Sequence, residues 1–571
     1  MVLGIILAGF VVIAAIGRDY GRSWDEPSSA IYAQRTLRAY AGQPVEEYAD
    51  LSFYGPAYLA FSEVFALAME RAVPGWTALE GRHAAYFLSF VIAVASVYAL
   101  ARGRVGIGAA LVGTLLFATQ PLFFGHAFIN PKDMPFLGLF AAAMAVGVVA
   151  VRSLPERMRS GTREALDVWV RSLAPAGRIT GVFLVLVLVS MALAWLSGVL
   201  SPTGPTGGLS GPTLPVLWFV AFCCGVWWVL PSWRSHLAMQ AGAGLVAGVA
   251  TAVRVVGPLA GILVSVLLIF RIRRGAIVGL AVYWSALVAT ACLLWPFLWR
   301  DPLGRILESV RVMSRFPWSA NTLFAGQLTP AGELPWFYAP AQFGLQLTLP
   351  ALALGLVGGL LAVADRRAGP LWIETLVFLA WMALPVLAAI AFESVLYDGA
   401  RQLLFALPPI FVMAAIAVDR ASRHVRRVSL RVVLVGLVLS PGIFALASLH
   451  PYQYIYYNEL AGGVAGAFRR FELDYWGTAY REAMLALDEL APEGADIGVA
   501  GPWDLATPYA RADMRVRGVN ADTADMPDFL LVWTRWNLDT RLWPDAPEAA
   551  AVRRNGALLA RVVDLRGLKR D

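Results

Sequence analysis

Apolar residues in this chain come in long blocks. Continuous runs cover 2–17, 82–100, 105–124, 134–151, 179–200, 214–231, 237–252, 256–270, 275–298, 344–364, 371–391, 402–418 and 429–448. A bilayer-spanning helix needs about 20 such residues. The thirteen runs therefore predict an α-helical polytopic membrane protein with about thirteen transmembrane helices. After residue 450 the pattern changes. Asp, Glu and Arg become frequent, and the short β-like runs "ADIGVAG" and "DFLLVW" stand on either side of a helical "DLATPYARAD". That predicts a small α/β domain over 450–571, joined to a membrane domain over 1–449. The first run, about sixteen residues without a basic flank, could be a signal peptide. A retained span is the preferred reading, because no small-residue cleavage site precedes "RDYGRSWDEP".

Composition agrees with the pattern. Hydrophobic residues make up 58% and charged residues 15% of the 571, against roughly 45–50% and about 25% in soluble domains. Cys223, Cys224 and Cys292 all lie in apolar runs, so neither a disulfide framework nor a cysteine metal site is predicted. A net charge of +7 could suggest nucleic acid, but the arginines sit in short loops between spans: "ARGR" at 101–104, the segment 152–178, "RIRR" at 271–274, "DRR" at 365–367 and "DRASRHVRR" at 419–427. With an odd number of spans all five loops share one side, and the positive-inside rule makes that side cytoplasmic. No nucleic-acid partner is expected. The N-terminus is then cytoplasmic, the C-terminal domain extracytoplasmic, and 18–81, 125–133, 299–343 and 392–401 are the external segments that matter. Within 18–81, "DEPSSAIYAQRTLRAYAG" predicts a Pro-started interfacial helix, and "FYGPAYLAFSEVFALAMERAVPG" a second helix too charged to span.

Candidate chemistry gathers on that external face. Asp25 and Glu26 open the interfacial helix, where acidic residues suit the helix dipole but a surface carboxylate could equally be a general base. Asp133 lies in the short loop 125–133, between Pro131 and Pro135 with Lys132 beside it. It is either half of a weak local ion pair or a functional group at membrane depth. Of 46 basic residues besides histidine, only Lys132 and Lys569 are lysine, and Lys569 is next to last but one. Arg82, Arg254 and Arg401 stand at span tips on the same face, against the positive-inside bias. Arg254 could mark a helix end and Arg401 could snorkel, but an anionic lipid headgroup would explain all of them, since Arg offers a fork and Lys a point charge. His83, His126 and His450 lack metal-ligand spacing, although Asp25 and Asp133 could share a divalent cation with a phosphate. External aromatic clusters fit the interfacial belt, with a minority free to stack on a sugar.

In combination these features resemble one family of membrane glycosyltransferases. They are "DEP" after the first span, "YGP" in a long first external loop, an Arg opening the second span, "NPKDMPF", "YDGARQLLFALPP" before a late span, and "HPYQYIYYNELAGG" with "FELDYWG" after the last. The resemblance is to the GT-C class, in the branch of protein O-mannosyltransferases and lipid A aminoarabinose transferases (glycosyltransferase family 39). It implies a GT-C fold and inverting transfer of a sugar from a polyprenyl-phosphate donor to an external lipid, glycan or protein acceptor, in a bacterial inner membrane. It further implies that Asp25, with Glu26 as neighbour, deprotonates the acceptor, that Arg82, Lys132 and Arg401, with Arg254, meet the donor phosphate, and that Asp133 orients hydroxyls or binds a metal. His126, Tyr54, Tyr397 and Asp398 are the candidate acceptor or sugar contacts. The chain lacks a long external insertion between later spans, which weakens the case for a protein acceptor.

Two other classes fit the residues less well. A transporter or flippase of a lipid-linked sugar expects mid-membrane charges and internal symmetry, and neither is visible. A membrane scaffold whose C-terminal domain binds a partner leaves the external charges without a purpose.

Overall fold

The computed structural model describes residues 2–154, 234–272, 276–519 and 525–568. The predicted spans at 179–200 and 214–231 lie outside them. The helices begin with α1 (Val2–Ile16), α2 (Glu26–Tyr40), α3 (Ala57–Ala72), α4 (Ala78–Arg102), α5 (Ile107–Ala118), α6 (Pro121–Ile129) and α7 (Asp133–Arg152). They continue with α8 (Arg234–Thr251), α9 (Pro258–Ile272), α10 (Ala276–Leu294), α11 (Pro302–Ser314), α12 (Tyr338–Gln346), α13 (Leu349–Ala364), α14 (Pro370–Ala391), α15 (Pro408–Ser422), α16 (Val428–Ser448) and α17 (Tyr480–Leu490). Four of these, α4, α7, α14 and α16, are long and apolar enough to cross a membrane, and counting each of two bent pairs as one span gives up to six among the described residues. With its apolar helices the chain is an integral membrane protein.

Local chemistry sets the element ends. Thr77 accepts from the Leu79 amide while Glu80 accepts from the Thr77 amide at 2.9 Å, a capping box that starts α4. Pro121 opens α6 and bends it 58° from α5. That bend corrects the expected loop at 125–133: the helix runs on to Ile129 and only Asn130–Lys132 separate it from α7. Helices approach closely where side chains are absent. A Cβ on Gly248 of α8 would stand 2.6 Å from the Leu287 carbonyl oxygen of α10, and one on Gly244 would strike the Tyr283 carbonyl.

The basic loops meet at one end of the bundle. Arg152 Nε donates to Glu374 at 2.9 Å, Arg104 lies 3.6 Å from the same carboxylate and donates to the Leu371 carbonyl, Arg271 reaches the Arg152 carbonyl, and Arg420 pairs with Asp365 at 2.7 Å. The opposite ends of α4 and α7 carry the candidate residues.

Residues 450–479 hold no strand and settle onto that opposite end. A Cβ on Gly125 of α6 would strike the Tyr454 backbone. Beyond them β3 (Asp496–Ala500), β4 (Arg515–Gly518), β5 (Phe529–Trp533), β6 (Glu548–Arg554) and β7 (Ala557–Asp564) form one sheet in the order β4-β3-β5-β7-β6. The β3–β4 and β3–β5 pairs are parallel and the other two antiparallel. The runs "ADIGVAG" and "DFLLVW" became β3 and β5. The expected helix "DLATPYARAD" did not form, because Pro508 interrupts it and only two 3-10 turns, Trp503–Leu505 and Thr507–Tyr509, remain. A hairpin in 299–343, β1 (Asn321–Phe324) paired antiparallel with β2 (Gln327–Pro330), turns through Ala325 and Gly326, both at positive φ.

Candidate active site

Asp25 stands at the N-cap of α2, yet its side chain makes no capping hydrogen bond. The carboxylate turns instead towards Lys132, whose Nζ lies 2.8 Å from Oδ2, with Arg401 Nη1 at 3.9 Å from the same oxygen. Oδ1 has no hydrogen bond or ion pair among the described residues, and at 23% exposure Asp25 is the most open carboxylate of the cluster. The helix-dipole reading does not account for that orientation. Burial raises the Asp25 carboxyl, but the charges of Lys132 and Arg401 outweigh it and hold the group below the ordinary carboxylate range.

Asn130 organises the loop "NPKD". Its Oδ1 accepts from the amides of Lys132 at 3.1 Å and Asp133 at 2.8 Å, and its Nδ2 donates to Asp133 Oδ2 at 2.9 Å and meets His126 Nδ1 at 3.1 Å. This Asx turn aims Lys132 outward and Asp133 inward. Asn130 is not among the residues that stood out in the sequence, although Asn before Pro is a recognised turn signal. The segment bearing Asp25 is pinned to the same place: Ser23 Oγ donates to the Ile129 carbonyl at 2.6 Å and Tyr20 stacks on Phe128 at 4.3 Å.

Asp133, expected in a loop, is the first residue of α7 and 1% exposed. Arg254 grips Oδ1, and Arg401 Nη1 lies 3.2 Å from Oδ2. Both oxygens of Asp133 are thus committed to the two arginines. Arg254 arrives on the turn between α8 and α9. The "YGP" stretch fixes that turn, since the Ala57 amide donates to the Ala252 carbonyl at 3.0 Å and no Cβ would fit at Gly55. Tyr54 packs between the cations, its ring 5.0 Å from Lys132 Nζ and 5.6 Å from the Arg254 guanidinium. Arg401 lies over Tyr397 at 4.7 Å and Trp476 at 4.8 Å, and reaches Asp398 at 3.3 Å.

Three predicted residues do not join this cluster. Glu26 is buried, accepting from the Ser23 amide at 2.7 Å and pairing with His83 at 3.0 Å. Arg82 bonds Glu63 at 3.0 Å. Both belong to a neighbouring network, in which Glu26 and Glu63 face Arg82, and Glu26 turns from Asp25 because residues consecutive on a helix point about 100° apart. His126, expected on an open loop, is fully buried in α6, where Nε2 shares a hydrogen bond with the Tyr475 hydroxyl at 3.0 Å. It is closed to an acceptor. Asp398 is likewise buried, bonded to Arg401 and to Arg535, and Tyr397 is covered by Trp318 at 4.8 Å. Of the residues named for sugar or acceptor contact, Tyr54 and Tyr397 line the cluster as supports for its cations.

A divalent cation between Asp25 and Asp133 does not fit this donor set. Each carboxylate already faces Lys132, Arg254 or Arg401, and among the described residues no group of three His, Cys, Asp or Glu side chains converges. What the site can do is hold an anion beside a free carboxylate oxygen. Lys132 at the rim tests this directly. Lys132→Arg keeps the charge but exchanges a compact point charge for a planar fork between Asp25 and the Tyr54 ring, and is expected to weaken binding of a phosphate probe about tenfold. Unchanged affinity in a binding titration would make Lys132 replaceable by any cation.

Comparison with solved structures gives distant likenesses over most of the chain. It is similar to ArnT from Cupriavidus metallidurans in the apo state, at 13% identity over 100% of this chain and 99% of that one, with a TM-score of 0.48. The same ArnT bound to undecaprenyl phosphate gives 13% identity, 98% and 97% coverage and a TM-score of 0.44. The apo oligosaccharyltransferase of Archaeoglobus fulgidus gives 13% identity over 89% of this chain and 64% of that one, with a TM-score of 0.36. No family model and no curated protein matches the chain. Likenesses this distant do not bear on the chemistry, which rests on the site.

Proposed function

We propose that the chain is an inverting glycosyltransferase that moves a hexose or pentose from a polyprenyl-phosphate donor to a lipid, glycan or protein acceptor. One observation carries the reading: Asp25 offers an unpaired Oδ1 while Lys132, Arg401 and Arg254 stand behind it as a cationic wall. In a single displacement the acceptor hydroxyl or amine gives its proton to Asp25 Oδ1 as its heteroatom bonds the anomeric carbon. The bond from that carbon to the phosphate oxygen breaks, and its electron pair leaves on the lipid phosphate. That leaving group is a stable anion, so the cations replace a general acid and one base suffices. Arg254 and Arg401 can each meet an acceptor-rich group with a charge-assisted fork. Lys132, shared between Asp25 and an arriving phosphate, would release the carboxylate as the donor binds.

The gathering of the Arg-rich loops at the far end of α4 and α7 favours a site on the extracytoplasmic side. With it go a cytoplasmic N-terminus, thirteen spans including the two outside the described residues, an extracytoplasmic 450–571 and residence in a bacterial inner membrane. A flippase gains no support, since the charges stand at helix ends. The reading is checked by mass spectrometry of lipid co-purified with the protein and by transfer from a synthetic polyprenyl-phosphate sugar. A bound polyprenyl phosphate or its glycosylated form, with turnover of the synthetic donor, is expected. Neither lipid nor turnover across several acceptors would sink the assignment.

A further inference from the structure

The C-terminal segment contributes one residue that reaches the cationic wall from outside the bundle. Arg535, which follows β5 by two positions, is only 2% exposed, and its Nη2 lies 2.7 Å from Asp398 Oδ1 while Nη1 donates to the Tyr475 carbonyl at 3.0 Å. Four indole rings surround the guanidinium, Trp536 at 4.6 Å, Trp24 at 4.9 Å, Trp533 at 5.6 Å and Trp318 at 5.9 Å. One of them, Trp24, directly precedes the candidate base. Asp398 passes the interaction on, since its other oxygen meets Arg401 Nη2 at 3.3 Å, and Arg401 Nη1 meets Asp133 and Asp25. The pair is held by backbone that would not choose its conformation unaided. Asp398 sits at φ 58°, and Trp536 and Asn537 next to Arg535 both sit at φ 55°, left-handed values that non-glycine residues keep only when surrounding contacts over-determine them.

We infer that Arg535 is a positioning residue of the transferase site, holding Arg401 in its phosphate-facing orientation through Asp398, so that the C-terminal domain completes the donor site. This rests on the proposed transferase reading. An aromatic cage suits the task because it desolvates the Arg535–Asp398 pair and leaves the fork one geometry. Loss of Arg535 would free Asp398 to draw Arg401 towards itself and away from Asp133. The groups facing Asp398 are Arg401, Arg535, Asp25, Tyr397, Tyr338, Tyr475 and the buried Glu472. Burial already raises the Asp398 carboxyl against the pull of the two arginines. Without Arg535 it would rise further, so acidification should loosen the grip on Arg401 at a higher pH.

The test measures binding of a defined polyprenyl phosphate to the full-length protein in detergent, with thermal unfolding as a separate readout. Arg535→Gln is expected to weaken binding about tenfold, with an intermediate loss for Arg535→Lys, which keeps the charge without the fork. Adding Asp398→Asn to Arg535→Gln should cost nothing more, and binding by Arg535→Gln should fall at higher pH on acidification than binding by the wild type. Wild-type affinity in a folded Arg535→Gln protein overturns the inference, as do fully additive losses in the double variant. If Arg535→Gln does not fold, Asp398→Asn bears the same test, and wild-type affinity there overturns it equally. Failure of the wild-type protein to bind the lipid phosphate defeats the transferase reading itself, a different outcome.

Discussion

Replacing Asp25 by Asn should reduce sugar transfer by about 10²- to 10⁴-fold, the contribution usual for a positioned general base, while leaving the protein folded and able to bind the donor. The amide keeps the shape of the side chain, but its oxygen cannot take up the acceptor proton. Lys132, released from its partner at 2.8 Å, stays available to the phosphate. Donor affinity should therefore be maintained or slightly improved, which separates this variant from those that damage the cationic wall. The pH profile adds a second check. Since Lys132 and Arg401 hold the Asp25 carboxyl below its ordinary value of about 3.9 despite burial, the base stays ionised through the mildly acidic range. In kcat/KM, which reports the free enzyme, transfer should show no acid limb attributable to Asp25 until pH falls below about 3.9. The stability that the depressed pKa contributes has the same sign, present above the unfolded value and lost as pH falls through the folded one. Near-normal turnover by Asp25→Asn would remove the residue from the mechanism.

The largest effect on stability is expected at Arg401. Its guanidinium lies 3.2 Å from Asp133, 3.3 Å from Asp398 and 3.9 Å from Asp25, and is 6% exposed. Truncating one partner of a buried ion pair typically costs about 3–5 kcal/mol, because the remaining charge stays desolvated. Arg401→Ala leaves three carboxylates sharing Lys132, Arg254 and Arg535, and also forfeits the contacts with Tyr397 and Trp476. A loss within that range should appear as a lower Tm in detergent, together with loss of lipid-phosphate binding. The deficit should shrink on acidification, since Asp25 and Asp398, freed from Arg401, gain protons more easily in the folded state and cease to repel. A Tm equal to the wild type would show that Arg401 is solvated and the cluster looser than its geometry.

Arg401→Ala and Asp25→Asn differ in what they spare, and the difference separates wall from base. So does Glu472, near Arg535 and Asp398: burial raises its carboxyl to about 7, so it straddles protonation at neutral pH without touching the proposed chemistry. A titration near neutrality in donor binding would therefore not report Asp25, whose carboxyl is held below the ordinary range.

Much of the architecture was legible in the order of residues. Apolar blocks marked the helices, since a bilayer leaves no alternative to internal backbone hydrogen bonding. Pro27 marked the start of α2, the "YGP" stretch the start of α3, and Asp25 and Lys132 stood out by type and place. What could not be read was partnership. Glu26 adjoins Asp25 in sequence, yet turns away by the helical step to His83. His126 looked exposed in a polar-seeming loop, yet Pro121 bent the helix rather than ending it and carried the imidazole into the interior. Arg535 comes from 137 residues beyond Asp398, where no local periodicity could link the two.

The sequence by itself determined the membrane class, the placing of basic residues in loops between apolar runs and the residue types available for acid, base and phosphate chemistry, because hydropathy and charge act along the chain. Only the tertiary structure decided which carboxylate stays open. Asp25, Asp133 and Asp398 are equal as letters, but the fold gives both oxygens of Asp133 to Arg254 and Arg401, ties Asp398 between Arg401 and Arg535, and leaves Asp25 one free oxygen. The reason is that pairing depends on distances set by helix ends meeting in space, and no segment carries that information alone.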